Sequence, residues 1–273
     1  MINREATAVP VRPHQIKAHD FGYVNDPDKL VSVIIPFHER RETVFRVIDR
    51  LMNQRLSLCG ANDVEIIVID DGSAQPSIAN DLPEKVIYLW QRRIGNDGYA
   101  FGASRARNTG VKIANGSVLI FVDADILVRE DHIDIVLAGM REHGPLVAQI
   151  GYIWDYSFPG SPDPRAPFGV WDNPGLCQRF YQLASGNFAV SRQLFEAAGG
   201  FDEDLIYGGV EDICFGYQIG SVPGSAMNFN VAMEGWHLPH PPSVAHANPE
   251  RSWEIARRKH PDFYDAYYTR SIR

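Results

Sequence analysis

The chain has 273 residues, 45% of them apolar and 22% charged, the composition of a globular protein with room for one large domain or two small ones. Its formal net charge of -8 argues against nucleic acid or an anionic membrane surface as the main partner. A single nucleotide stays open, because a metal ion can supply the local positive charge.

Residues 1–28 are polar and Pro-containing, without the apolar core of a leader peptide, and read as an N-terminal extension. A strand over 30–36 (LVSVIIP) ends at Pro36. A helix follows over about 41–54, with Val44, Val47, Ile48, Leu51 and Met52 on one face. A second strand, 64–69, runs into Asp70-Asp71-Gly72-Ser73. A short helix and a third strand over 86–90 come next, then a Gly-rich loop over 95–102 and a helix over 104–114. The fourth strand, Val118 to Val122, is continuously apolar and so reads as buried on both faces. This alternation predicts a mostly parallel sheet with crossover helices.

The second half predicts a helix over 131–142 and a strand over 146–152. A long Pro/Gly/aromatic stretch, Trp154 to Pro174, follows; a loop of this length in a compact domain is usually functional or disordered, and its aromatics argue against plain disorder. Then come a short strand over 185–190, a helix over 192–198, and a loop from Gly208 entering a helix that reaches Gln218. A Pro/His segment over 235–242, a last helix over about 249–260 and an aromatic tail complete the chain. Cys59, Cys177 and Cys214 are scattered, show no disulfide framework or metal spacing, and fit a reducing compartment. No window has the length of a membrane span. The expectation is a cytoplasmic protein, soluble or peripherally membrane-associated.

The chemistry concentrates where buried strands end. Asp123-Ala124-Asp125 closes the fourth strand, at the edge where a parallel sheet opens into a ligand crevice. Two carboxylates there need a positive partner; a divalent metal carrying a diphosphate would satisfy both, and so would a helix cap or an Arg. Asp70-Asp71-Gly72-Ser73 can accept from the ring N–H of uracil, with Gly72 permitting close backbone approach, or can form an Asx turn. Pro36-Phe37-His38-Glu39 ends the first strand beside it, with Phe37 available to a base or ribose. Arg105 and Arg107, at the start of the helix after the Gly-rich loop, suit phosphates, or lie on opposite faces with one solvated and one salt-bridged. No Gly-Lys-Ser/Thr and no G-x-G-x-x-G occurs at the first turn, which weakens kinase, ATPase and dehydrogenase readings. Gly208-Gly209-Val210-Glu211-Asp212 offers a general base behind a glycine hinge, or carboxylates that only suit the helix dipole. Trp236-His237-Leu238-Pro239-His240 offers imidazoles that are either surface or core residues or, two within four residues, a further metal ligand. Spacing does not separate His237 from His240, and His237 is preferred. Imidazole plus carboxylate suits manganese-type ions better than calcium.

Together these motifs resemble the GT-A fold nucleotide-sugar glycosyltransferases of the inverting family-2 type, with features of the galactosyltransferase and polypeptide N-acetylgalactosaminyltransferase relatives. The residues that carry the resemblance are Val33-Ile34-Ile35-Pro36, Asp70 to Ser73, Ala106-Arg107-Asn108-Thr109-Gly110, Asp123-Ala124-Asp125, Gly186-Asn187, Gly199-Gly200-Phe201-Asp202 and Gly208 to Asp212. They occur in the family's order over roughly residues 30 to 245.

The resemblance implies an α/β GT-A (Rossmann-like) fold, with a mostly parallel sheet flanked by helices. One domain, 29–248, would hold a nucleotide-sugar half over 29–130 and an acceptor half over 131–248, followed by a C-terminal helix and tail over 249–273. It implies that Asp71 binds uracil, with Pro36, Phe37 and Glu39 lining the nucleoside pocket. Arg105, Asp123, Ala124, Gly186 and Asn187 would belong to the nucleotide-sugar site. Asp125 and His237 or His240 would hold a divalent metal, Mn2+ before Mg2+. Asp212 would be the general base and Glu211 would orient the acceptor. The implied reaction moves a hexose or N-acetylhexosamine from a UDP-sugar to a saccharide, peptide or small-molecule hydroxyl, with inversion. A retaining transferase, a sugar nucleotidyltransferase and a non-catalytic nucleotide-sugar-binding protein are the alternatives. Gln218 departs from the pattern, since an Arg often follows the acidic motif in this family, and the C-terminal segments of a cellulose-synthase-type polymerase are not expected. Trp154, Tyr156, Phe158 and Trp171 read as sugar-stacking platforms of an acceptor-side lid, or as a surface loop held by local packing.

Overall fold

The structure is a computed structural model that describes residues 30–74, 77–92, 102–161, 175–177, 180–206, 208–240 and 248–270. The expected extension over 1–28, the Gly-rich loop before Gly102, residues 162–174 with Trp171, and the end of the Pro/His segment lie outside them.

In chain order the main elements are β1 (Val31–Phe37), α1 (Arg41–Met52), β2 (Val64–Asp71), β3 (Val86–Gln91), α2 (Ala103–Ile113), β4 (Val118–Val122), β5 (Ile126–Val128), α3 (His132–His143), β6 (Val147–Asp155), β7 (Gly175–Cys177), β8 (Asn187–Ser191), α4 (Arg192–Ala198), α5 (Glu211–Gly220), β9 (Ala226–His237), α6 (Pro249–Lys259) and α7 (Pro261–Arg270). The strands form one sheet in the order β3-β2-β1-β4-β8-β6-β9-β5, with β7 also on β9. β1 to β4 pair in parallel, as the βα alternation requires. β8 is inserted antiparallel between β4 and β6, β6 and β9 are parallel, and β5 and β7 run antiparallel on the outer edge of β9.

Alternate side chains of the buried strands feed two cores, one on each face. Val31, Val33 and Ile35 of β1 join Ile120 and Val122 of β4 under α1 and α3. Ile34, Leu119 and Phe121 point the other way, toward α2, α4, α5, α6 and α7. Phe121, Phe188, Phe195, Phe201 and Phe215 pack there with ring centroids 4.2–6.2 Å apart. The C-terminal hairpin is tied into the same core, since Ala256 of α6 and Phe263 of α7 are fully buried in it. The layered α/β architecture with a mostly parallel sheet is the expected one.

Five elements correct the sequence reading. The strand expected over 146–152 continues to Asp155, so Trp154 begins no loop. β5 and β7, of three residues each, had no counterpart, nor did β9, which occupies much of the segment left between α5 and the Pro/His residues. The aromatic tail is a helix, α7, opened by Pro261, a residue suited to a first helical position because it lacks an N–H there.

Candidate active site

The expected residues gather along the C-terminal edge of β1, β2 and β4. At β2, Asp70 is fully buried, accepting from the Ser73 N–H (2.8 Å) and the Tyr88 hydroxyl (2.6 Å). Burial pushes its pKa up, against the pull of those hydrogen bonds. Asp70 is thus the brace of the turn, and Asp71 is its neighbour. The Gln91 amide donates to Asp71 at 2.9 Å, and the Thr109 hydroxyl donates to Gln91 at 2.9 Å, so α2, β3 and β2 fix one carboxylate. A Cβ on Gly102 would fall 1.8 Å from an Asp71 oxygen, so only glycine fits at the start of α2. Glu39 lies beside them: its N–H donates to Ser73 Oγ (3.0 Å) and its carboxylate accepts from the Ala74 N–H (2.5 Å). It holds a φ of 58°, a left-handed conformation for a non-glycine residue.

Several expected binding residues have other surroundings. Phe37, 4% exposed, packs in the α1/α3 core, and Ala124 is buried in the same core. The Asn187 amide donates to the carbonyls of Tyr152 (3.0 Å) and Met233 (2.9 Å), stitching β8 to its neighbours. Arg105 is directed to the Arg92 carbonyl at 2.6 Å. Pro36 keeps a partly exposed place on β1.

Asp123 and Asp125 diverge to two clusters. β8 pairs with β4 so that Asn187 faces Val122, which lays Gly186 against Asp123; the Asp123 N–H donates to the Gly186 carbonyl at 3.1 Å. The Asp123 carboxylate accepts from Arg107 at 2.8 Å, and the same guanidinium lies 3.9 Å from Asp212. Arg107 is 4% exposed and stacks 5.3 Å over Phe201. Burial opposes its charge, but Asp123, Asp212 and Glu211 more than offset this and raise its pKa. Asp212, in the first turn of α5, accepts from the N–H (3.0 Å) and hydroxyl (2.5 Å) of Ser185. Glu211 accepts from the Val210 N–H (3.0 Å), and burial together with the Asp212 charge raises its pKa to about 7. The Gly208-Gly209 turn before them, both φ near +80°, is braced from α6 by the Ser252 hydroxyl on the Gly208 carbonyl at 3.1 Å.

Asp125 faces the other way. β5 begins one residue later and pairs with β9 so that Ile126 faces His237, and the Leu238 N–H donates to the Asp125 carbonyl at 2.8 Å. This return brings both histidines to the carboxylate: His240 Nε2 is 3.1 Å and His237 Nε2 3.8 Å from Asp125 Oδ2. Ligand atoms of Asp125, His237 and His240 all lie within 4.8 Å of one another. One carboxylate and two imidazoles form a donor set that could hold a divalent metal ion. Arg40 also reaches this cluster, with Nη1 hydrogen-bonded to Asp125 and 2.6 Å from His240 Nε2.

Sequence reasoning did not assign Arg40 or Ser185 to this site; Arg107, read as suiting phosphates or as the salt-bridged one of two arginines, is salt-bridged to Asp123. Of the expected aromatic platforms, Trp154 donates its indole N–H to Glu234 (3.0 Å), while Tyr156 and Phe158 are exposed past the end of β6.

The chain belongs to glycosyl transferase family 2, whose profile matches residues 32–195. It is 26% identical over 251 residues to the validoxylamine A glucosyltransferase of Streptomyces hygroscopicus subsp. jinggangensis, covering 80% of this chain and 57% of that protein. It is 25% identical over 225 residues to polypeptide N-acetylgalactosaminyltransferase 11 of Xenopus tropicalis, covering 72% and 36%. The chain therefore spans only about half or less of the length of these relatives. Its fold is that of Staphylococcus aureus TarS 1–349 in complex with UDP-GlcNAc, with a TM-score of 0.62 at 18% identity over 84% of this chain and 65% of that one. It is also that of GalNAc-T7 with UDP, GalNAc and Mn2+, with a TM-score of 0.61 at 20% identity over 86% and 49%. Both likenesses are of the GT-A type. No helix among the described residues is long and apolar enough to cross a membrane.

Proposed function

We propose that the chain is an inverting, metal-dependent glycosyltransferase that moves a hexose or N-acetylhexosamine from a UDP-sugar to an acceptor hydroxyl. The observation that carries the reading is the pair of clusters at the end of β4: Asp125 with two histidines on one side, and on the other Asp123, Arg107 and Asp212, the last at a helix N-terminus behind a glycine turn. UDP-GlcNAc in the TarS complex, and UDP with Mn2+ in the GalNAc-T7 structure, support the donor and the metal.

In this reading Asp71 accepts the uracil ring N–H, held in place by Gln91, and Pro36 and Glu39 line the nucleoside side of the crevice. Asp123, backed by Arg107 and Gly186, faces the ribose or donor sugar. Asp125, His237 and His240 would hold the divalent ion, Mn2+ or Mg2+. A bound ion there would act as a Lewis acid toward the charge developing on the leaving diphosphate. Asp212 takes the proton of the acceptor hydroxyl as that oxygen attacks the anomeric carbon. The two Ser185 hydrogen bonds orient this carboxylate, and the N-terminus of α5 favours its charge. Glu211, with a pKa near 7, hydrogen-bonds the acceptor as either donor or acceptor around neutral pH. Attack opposite the leaving UDP inverts the anomeric centre without a covalent intermediate. Tyr156 and Phe158, 43% and 68% exposed, offer a stacking face to a saccharide acceptor.

The test is product release from a panel of UDP-sugars with Mn2+, using wild type and Asp212→Asn. The expected result is UDP release from one preferred donor, inverted free sugar in its slow hydrolysis, and a loss of about 10²–10⁴-fold in Asp212→Asn with donor binding retained. Conversion of the UDP-sugar with added pyrophosphate into UTP and a sugar 1-phosphate, a retained anomer, or full turnover in Asp212→Asn would overturn the assignment.

A further inference from the structure

Arg40 sits where the proposed metal site needs a cation. Its guanidinium bonds Asp125 and lies 2.6 Å from His240 Nε2, inside the cluster formed by the three candidate ligands. The Asp125 side chain is only 5% exposed, so its charge requires a positive partner at all times. Arg40 meets that need from within the chain. The guanidinium thus lies against the ring nitrogen that a metal would use.

The placement of Arg40 makes this contact reversible. Its backbone is anchored at the start of α1, where its carbonyl accepts from the Val44 N–H and the Thr43 hydroxyl, both at 3.1 Å. The preceding residue, Glu39, is tied to Ser73 and Ala74 beside the expected uracil site. The side chain is 27% exposed and so has a route into solvent. It cannot leave by losing its proton. It leaves only by swinging, and two cations cannot share the space it fills.

The charges then favour a particular order of events. With Arg40 in place, carboxylate and guanidinium cancel. A divalent ion entering alone must displace Arg40 and leaves a surplus positive charge in a partly buried site. A divalent ion entering with a nucleoside diphosphate brings the negative charge that absorbs that surplus.

We propose that Arg40 is a tethered counter-cation that occupies the Asp125–His237–His240 site in place of a divalent ion, so that metal alone binds weakly and metal with a nucleoside diphosphate binds strongly. This inference rests on the metal-site reading given above. It makes Arg40 a residue that sets the coupling between the two ligands, a quantity that linkage requires to be the same from either side.

The experiment is Mn2+ binding, followed by electron paramagnetic resonance of the free ion, with and without UDP, in wild type, Arg40→Met, Arg40→Lys and His240→Ala. Arg40→Met should bind Mn2+ alone at least about tenfold tighter than wild type, and UDP should then improve Mn2+ binding by a correspondingly smaller factor. Arg40→Lys, which keeps the charge but not the planar fork, should fall between the two. If Arg40→Met is too unstable to purify without metal, a rise in Arg40→Lys alone still supports the inference. Equal Mn2+ affinity in wild type and both Arg40 variants, with loss in His240→Ala, would overturn the Arg40 role while leaving the metal site standing. No Mn2+ binding by any form, with UDP or without, would overturn the metal site and this inference with it.

Discussion

Placing a guanidinium among three carboxylates inside a protein is costly unless each charge is answered, and Arg107 shows how the site answers them. Its hydrogen bond to Asp123, its approach to Asp212 and the face of Phe201 leave it buried but compensated. Glu211 is the group that bears the residual cost: its pKa of about 7 lies above the usual carboxylate value of 4.5. The sign of the pH dependence follows. Below about 4.5 Glu211 is protonated both folded and unfolded. As pH rises to about 7 the unfolded chain ionises it first, so wild-type stability from this group is lost across that window. Glu211→Gln removes the titration. Urea unfolding should therefore show the variant gaining on wild type from pH 5 to pH 8; an identical difference at both pH values would contradict the assignment. The carboxylates were legible because each followed an apolar strand or a glycine pair. Arg40 and Ser185 were not, because their partners lie 85 and 27 residues away and no local pattern encodes such contacts. Both histidines converge on Asp125 for a similar reason: the convergence is set by β5 pairing with β9, which spacing along the chain does not reveal.

At the scale of elements, α3 carries a strain of its own. His132, its first residue, is fully buried, and neither ring nitrogen has a hydrogen-bond partner among the described residues. Burial lowers its pKa to about 4. The folded state keeps it neutral, so its contribution is intact above about pH 6.5 and is lost as pH falls toward 4, where the unfolded chain binds a proton that the folded chain refuses. His132→Leu keeps the volume and removes the polar atoms. It should be near neutral or stabilising at pH 8 and stabilising by about 3 kcal/mol at pH 4, measured by chemical denaturation. A variant that loses stability equally at both pH values would show that the ring is held by contacts instead. The elements themselves were readable in proportion to their regularity. β1, β2 and β4 are uninterrupted apolar runs feeding both cores, and α1 has a clear apolar face. β5 and β7 are too short to show a period. β9 alternates poorly, because its register with β6 shifts between Gly151 and Tyr152, and Val231 near this irregularity is 56% exposed. α7 is rich in aromatic residues, which lose side-chain freedom in a helix, and it is secured by packing of Trp253, Phe263 and Tyr267.

Across the whole molecule, one reversal in the sheet organises the site. Parallel strands β1, β2 and β4 put their C-terminal ends, with Asp71 and Asp123, along one edge. Insertion of antiparallel β8 then carries Ser185 and Gly186 back to that edge, where they meet Asp212 and Asp123. The C-terminal hairpin closes the arrangement from outside: Lys259 and His260 both hold Asp202, at 2.7 and 2.5 Å, and α6 braces the glycine turn before Glu211. The proposed donor side, at Asp123, and the proposed base, Asp212, are thus joined by packing, with Arg107 as the charged link. The central claim is that Asp125 and its histidines bind a divalent ion together with a nucleoside diphosphate. Calorimetric titration of UDP into wild type and Asp125→Ala, each with and without Mn2+, tests it most directly. UDP binding in wild type that is strengthened by Mn2+ at least about tenfold, with that gain absent in Asp125→Ala, is the predicted result. UDP affinity indifferent to Mn2+ in wild type, or a Mn2+ gain that survives in Asp125→Ala, would contradict it.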